Sequence, residues 1–267
     1  MAKKKAKMRR ATVAKQPMRY KKDFLDQVIA RVDFAAPLGI TPTGPPAEVV
    51  TAAKARFPVA EHKKLLLKTV HLGPNATEER REDKHEWWYH SKDRKKLIKI
   101  ADGMLVLEYK RRKYRSFDDL KRGFLPVVRA LYAAFDGLQV ERLGLRYIDR
   151  IELAEGKPTD WKRYLKKDLL AIFNLADDAS TVSRALHWLE FNYGDTHLRF
   201  QYGMANPDYP APIRQKVFIL DYDAYCTLLL SEEEVEDYLT QLHGRTRAAF
   251  EEVILQPLRD KMEPVYG

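Results

Sequence analysis

Residues 140–153, V-E-R-L-G-L-R-Y-I-D-R-I-E-L, decide how the chain is read. On a β-strand successive side chains point to opposite faces, so the stretch divides into two lines. Leu143, Leu145, Tyr147, Asp149, Ile151 and Leu153 form a mostly apolar line suited to a core, and Val140, Arg142, Gly144, Arg146, Ile148 and Arg150 form the other. Such a strand belongs in a sheet with one covered face and one polar face. The three arginines require water, carboxylates or an anionic ligand above them.

Upstream, residues 24–34 alternate as an opening strand, and prolines 37 to 46 lead into a short helix over 47–57. Strands are expected over 62–72, 85–92, 95–101 and 104–111, with residues 73–84 as a polar turn and Asp102-Gly103 as a hairpin signal. Ser116, with Asp119 three residues on, starts a helix whose stripe is Leu120, Phe124, Val127, Val128, Leu131, Tyr132 and Phe135. Pro126 is expected to kink it and Gly137 to close it.

Downstream the order recurs. A helix over about 161–174 precedes strands over 181–192, 196–204 and 216–225, and a Ser231/Glu234 capping box opens a long helix to about residue 255. The pattern predicts an α+β fold: two β-α-β(3-4)-α units forming a pseudo-twofold antiparallel sheet with helices on one face, a saddle or helix-grip layout. Residues 1–22 are expected as a disordered basic arm, with halves 23–137 and 138–267 packed as one unit.

Charge is unevenly placed. Ten of the 48 basic residues precede the first acidic one, Asp23, and the 38 that remain match the 38 acidic residues, so the net +10 resides in the arm. Lys3, Lys4, Lys5, Arg9 and Arg10 are its densest part. A like-charged block either keeps a protein in solution or binds polyanions through counterion release. With one cysteine, Cys226, no intramolecular disulfide or cysteine-based zinc site can form. No apolar run has membrane-spanning length, so a cytoplasmic protein without membrane contact is expected.

The segments E-W-W-Y-H-S-K-D, L-V-L-E-Y-K, Y-R-S-F-D-D-L and R-L-G-L-R-Y-I-D-R-I together resemble a sporadically distributed bacterial family of about this length. Its pattern is an aromatic strand, a Tyr-x-Ser-Phe helix start and an Arg-x-Gly-Leu-Arg-Tyr core. The matching residues are Trp88, Tyr114, Ser116, Phe117, Arg142, Gly144, Leu145, Arg146, Tyr147 and Arg150. Where that family usually has asparagine after Tyr-Ile, this chain has Asp149, which points to a local ion pair with Arg150. The resemblance implies no particular activity; patchy distribution associates such families with defence or mobile-element loci.

Three surfaces could carry function. Arg142, Arg146 and Arg150 would present planar forks to phosphate, or pair with carboxylates such as Asp221 and Asp223. On a later strand Asp195, His197, Arg199 and Gln201 form a polar line. If it neighbours the arginine strand, His197 as base and Arg146 as phosphorane stabiliser could cleave RNA without metal. Trp88, in the aromatic run 85–90, could stack a base or fill core. Gly-rich phosphate loops, nucleophile elbows and zinc motifs are absent, so no cofactor or metal is expected. The leading expectation is a non-catalytic binding or adaptor protein, holding RNA or DNA through the arm and sheet face or a protein encoded nearby. A metal-independent RNA-cleaving toxin is the alternative.

Overall fold

The computed structural model describes residues 19–40, 43–72, 77–110, 113–175 and 178–266. In chain order the first elements are β1 (Arg19–Tyr20), β2 (Leu25–Phe34), α1 (Ala47–Lys54), β3 (Val59–Leu72), β4 (Thr77–His90), β5 (Lys96–Ala101), β6 (Met104–Lys110) and α2 (Phe117–Ala134). There follow β7 (Val140–Glu152), α3 (Lys167–Leu170), β8 (Ala185–Asn192), β9 (His197–Met204), β10 (Val217–Cys226), α4 (Glu232–Val253), α5 (Gln256–Met262) and β11 (Pro264–Val265). The protein is thus α+β.

A nine-stranded antiparallel sheet runs in the order β3-β4-β5-β6-β2-β7-β10-β9-β8, and β1 and β11 form a separate two-stranded ribbon. The stretch 140–153 is β7, central in the sheet, with β2 on one side and β10 on the other. Its apolar line is buried: Leu143, Leu145 and Ile151 are 0% exposed. The same face of β2, β6 and β10 supplies Val28, Ala30, Val32, Leu105, Leu107, Phe218 and Leu220 to one continuous core. Helices α2 and α4 cover it with Leu120, Phe124, Val127, Leu131, Val235, Leu239 and Leu242. Burying each such side chain contributes about 1.5–3 kcal/mol.

Local chemistry explains the element ends. Ser116 Oγ accepts a hydrogen bond from the Asp119 amide at 3.1 Å, which starts α2, and Pro126 is carried within that helix. Ser231 and Glu234 form the capping box of α4. Leu255 precedes a new helix with proline in its first turn, so the long helix ends at Val253 and α5 begins at Gln256.

Several expectations are corrected. The segment 161–174 forms turns, the one-turn α3 and a 3-10 turn at Ala171–Leu175 in place of one long helix. Trp161 is 0% exposed and its indole donates to the Pro158 carbonyl at 2.9 Å, so a local turn satisfies it where a helix would not. Residues 77–84, expected as a turn, extend β4, which pairs with β3 from His90 down to Thr77. Residues 19–22, expected within the disordered arm, are held against the C-terminal end of the described chain. Arg19 and Tyr20 pair with Val265 and Pro264, Lys21 and Lys22 amides donate to the Glu263 and Met262 carbonyls, and the Tyr20 hydroxyl donates to Glu251 at 2.7 Å. Lys3, Lys4, Lys5, Arg9 and Arg10 lie outside the described residues.

Candidate functional site

The two faces of β7 lead to different sites. On the polar face, cross-strand register sets acids against bases. Asp223 lies opposite both Arg146 and Arg199, and Asp33 lies opposite Arg142. Arg146 donates twice to Asp221, from Nε at 2.8 Å and Nη2 at 2.6 Å. Arg142 reaches Asp33 and Asp223 at 3.6 Å each, Arg150 donates to Glu152 at 2.9 Å, and Arg199 donates to Glu190 at 2.9 Å. The guanidinium row is therefore a lattice of ion pairs rather than a row of open forks. Burial raises the Asp223 carboxyl above the ordinary range, and the guanidinium groups of Arg142, Arg146 and Arg199 pull it back in part.

His197 and Arg146 do not meet. Strand β10 separates β9 from β7, so they stand at least two strand spacings apart, roughly 10 Å. His197 instead stacks on Tyr225, with ring centroids 5.2 Å apart. Trp88 is half-buried on the polar face, donates its indole N–H to Glu86 at 2.7 Å and carries Lys63 over its ring. Among the described residues no group of three His, Cys, Asp or Glu side chains could hold a metal ion. No described helix is long and apolar enough to cross a membrane.

The covered face holds the second site, which the sequence reading passed over. A cleft of about 460 Å³ opens where the core layer ends between sheet and helices. Leu25 of β2, Tyr147 and Asp149 of β7 and Tyr222 of β10 line it from the sheet. Tyr114 to Asp118, leading into α2, and His243, Thr246, Arg247 and Phe250 of α4 line it from the helices. Arg19, Tyr20, Asp23, Glu251 and Met262 complete the lining.

Three of its polar groups are bonded to one another. The Tyr114 and Tyr147 hydroxyls lie 3.1 Å apart, and the Tyr147 hydroxyl lies 3.0 Å from His243 Nδ1. The Phe117 ring stacks on the His243 imidazole at 4.1 Å and 9°. Burial, with Arg247 nearby, lowers the His243 pKa to about 4, so the imidazole is neutral at physiological pH. The tyrosines are pushed up, Tyr147 chiefly by burial, and stay protonated.

Two further polar groups have no such partner. Asp149 is 4% exposed, and no hydrogen bond or ion pair reaches its carboxyl among the described residues. Burial pushes that carboxyl well above the usual range, and the negative charge of Asp23 pushes the same way. The Tyr222 hydroxyl is likewise buried without a partner. The expected ion pair between Asp149 and Arg150 does not form, because strand alternation sends them to opposite faces. Buried polar groups are nearly always hydrogen-bonded, so two orphans lining one cavity are an uncommon arrangement.

The sequence did carry one signal for this site: Asp149 is the only charge on the apolar line of the opening stretch. Nothing in the sequence placed Tyr114, Tyr222 and His243 beside it, because they come from three elements far apart in the chain. Compared with models of known protein families and with curated proteins, the chain matches none.

Proposed function

We propose that the protein is a non-catalytic binding protein that holds a small molecule in the cleft between β7 and helices α2 and α4. The observation that carries this reading is the pair of buried, unpartnered polar groups, Asp149 and the Tyr222 hydroxyl, lining a cavity otherwise rich in aromatic rings. A mostly apolar concavity with a few convergent polar groups is the usual form of a small-molecule site. Native mass spectrometry of the gently purified protein tests it. A bound mass that denaturation releases, and that Leu25→Trp abolishes by narrowing the cleft, is the expected result. A protein without bound mass that also gains no melting temperature from a metabolite library overturns it.

The strand order supports the finer architectural reading of two β-α-β-α units related by a pseudo-twofold axis. In each half the first strand pairs with the last strand of its own meander, β2 with β6 and β7 with β10, and the two first strands pair with each other.

A second reading, RNA or DNA bound by the basic segment 1–22, is supported by the concentration there of the whole charge surplus. The paired arginines of the polar face add little to it. Retardation of RNA or DNA that weakens steeply with salt and is lost on deleting residues 1–18 is expected. No retardation at low salt overturns nucleic-acid binding. The adaptor role toward a protein encoded nearby, and a place in defence or mobile loci, rest on the family resemblance. The exposed Leu186, Trp188, Leu189 and Phe191 of edge strand β8 are consistent with a protein partner.

A further inference from the structure

We propose that the cleft selects an organic ammonium with an aromatic or apolar body, its charged nitrogen seated between the Asp149 carboxylate and the Tyr222 hydroxyl. The inference rests on the small-molecule reading above and gives it a chemical class.

Each feature of the inner cleft is electron-rich. Asp149 offers up to two acceptor oxygens and has no cation of its own. Tyr222 Oη, also unpartnered, can accept a second N–H. The rings of Tyr114, Phe117, Tyr147, Tyr222 and Phe250 line the same space, and an aromatic face attracts a cation. His243 is neutral and contributes no competing charge. A neutral ligand would leave the buried acid without a counter-charge, and an anionic one would bring a negative charge beside Asp23 and Asp149. The positive end of α2, which could favour an anion, is already met by Asp118 and Asp119 in its first turn.

Charged groups around the cleft are Arg19, Asp23, Arg115, Asp118, Arg247 and Glu251. Arg19, Arg115 and Asp118 are exposed, so solvent screens them. Glu251 is taken up by Tyr20 and Arg259. Asp23 and Arg247 are half-buried, which leaves Asp149 as the one deeply buried carboxyl in the cleft with no partner among the described residues.

Binding carries a proton balance. Below its raised folded pKa unliganded Asp149 holds its proton, because burial disfavours the carboxylate; an incoming ammonium keeps its own proton and the Asp149 proton leaves to solvent. The products are a carboxylate–ammonium pair and one released proton.

Tryptamine, tryptophol and indole-3-propionate, which share a ring and differ in charge, are the probes, titrated calorimetrically into the full chain in two buffers of different ionisation enthalpy. Tryptamine is expected to bind at least about tenfold more tightly than tryptophol, with net proton release, and indole-3-propionate weakest. In Asp149→Asn the preference for tryptamine should collapse to within about twofold of tryptophol. Equal binding of tryptamine and tryptophol, or no proton release, overturns the ammonium inference and leaves the cleft reading standing. Tighter binding of indole-3-propionate also overturns it. If none of the three binds, the inference fails, and the native mass measurement on the purified protein decides the cleft reading separately.

Discussion

Replacing Asp149 by asparagine should make the protein more stable at neutral pH, and the size of the gain should depend on pH in a defined way. Asparagine matches aspartate in shape and removes the charge. Neither side chain has a partner in the cleft, so the cost of an unsatisfied neutral polar group is similar in both and cancels. What remains is the cost of ionising Asp149 in the folded state. Burial first, and Asp23 second, raise its folded pKa well above the unfolded value of about 3.9. The native protein therefore keeps a proton that the unfolded chain has released, and stability falls as pH rises from about 4 toward the folded pKa. Above that pKa the penalty is constant. Each unit of upward shift costs about 1.4 kcal/mol. In a chain of this size each kcal/mol moves the melting temperature by about 2–4 °C. The two proteins should thus melt together near pH 4 and diverge as the pH rises, Asp149→Asn melting higher. Thermal and guanidinium unfolding of both across that range is the assay. Equal stability at neutral pH, or a difference that does not change with pH, would show that Asp149 is partnered or hydrated and would remove the ground for the site.

Three other outcomes follow from the packing. Leu107→Ala, at a 0% exposed position between β6 and α2, should cost about 2–5 kcal/mol and lower the guanidinium midpoint without changing the m-value. Gly203 has φ +138, and a Cβ there would stand 2.0 Å from the Ala185 carbonyl oxygen. Gly203→Ala should therefore unpair β8 from β9, read as faster amide exchange in β8 with unchanged exchange in β7. Asp119 is 5% exposed; burial pushes its carboxyl up, but ion pairs with Lys96 at 2.8 Å and Arg56 at 2.5 Å outweigh that and hold it below its ordinary value. Its contribution is present above about pH 4 and lost as the pH falls through its lowered folded pKa, so Asp119→Asn should cost roughly 1–3 kcal/mol at neutral pH and progressively less in acid, measured by urea unfolding.

What the sequence made legible was periodicity. The two-residue alternation of 140–153, the helical stripe from Leu120 to Leu131 and the caps at Ser116 and Ser231 each fix a local conformation from nearby residues alone. Long-range assembly was not legible. The ribbon of Arg19–Tyr20 with Pro264–Val265 joins the two ends of the described chain, and no local pattern announces it. The segment 161–174 has helical spacing, yet the fully buried Trp161 ties it into a turn. The arginines of the polar face were read correctly as one line, and Asp221 and Asp223 were visible as carboxylates. Only the register of β10 beside β7 shows that they satisfy those arginines. The cleft combines both limits: Asp149 stood out on its strand, and its surroundings came from elsewhere.

The two faces of one strand therefore differ in what their charges cost. On the polar face Arg142, Arg146 and Arg150 sit at side-chain exposures of 28%, 39% and 36%, each with a carboxylate in reach. The exposed Arg150–Glu152 pair is worth about 0–1 kcal/mol, while Arg142 and Arg146 neutralise the more buried Asp33, Asp221 and Asp223. On the covered face a single buried carboxyl has no cation among the described residues, and the cost of ionising it falls on the stability of the whole chain. Asparagine at this position would spare that cost. A destabilising group with a ready substitute is retained where something uses it, and strain or unsatisfied polarity concentrates at binding sites for this reason. The polar face has its charges spent on one another, and this asymmetry is the ground for proposing a site under the helices rather than on the arginine face.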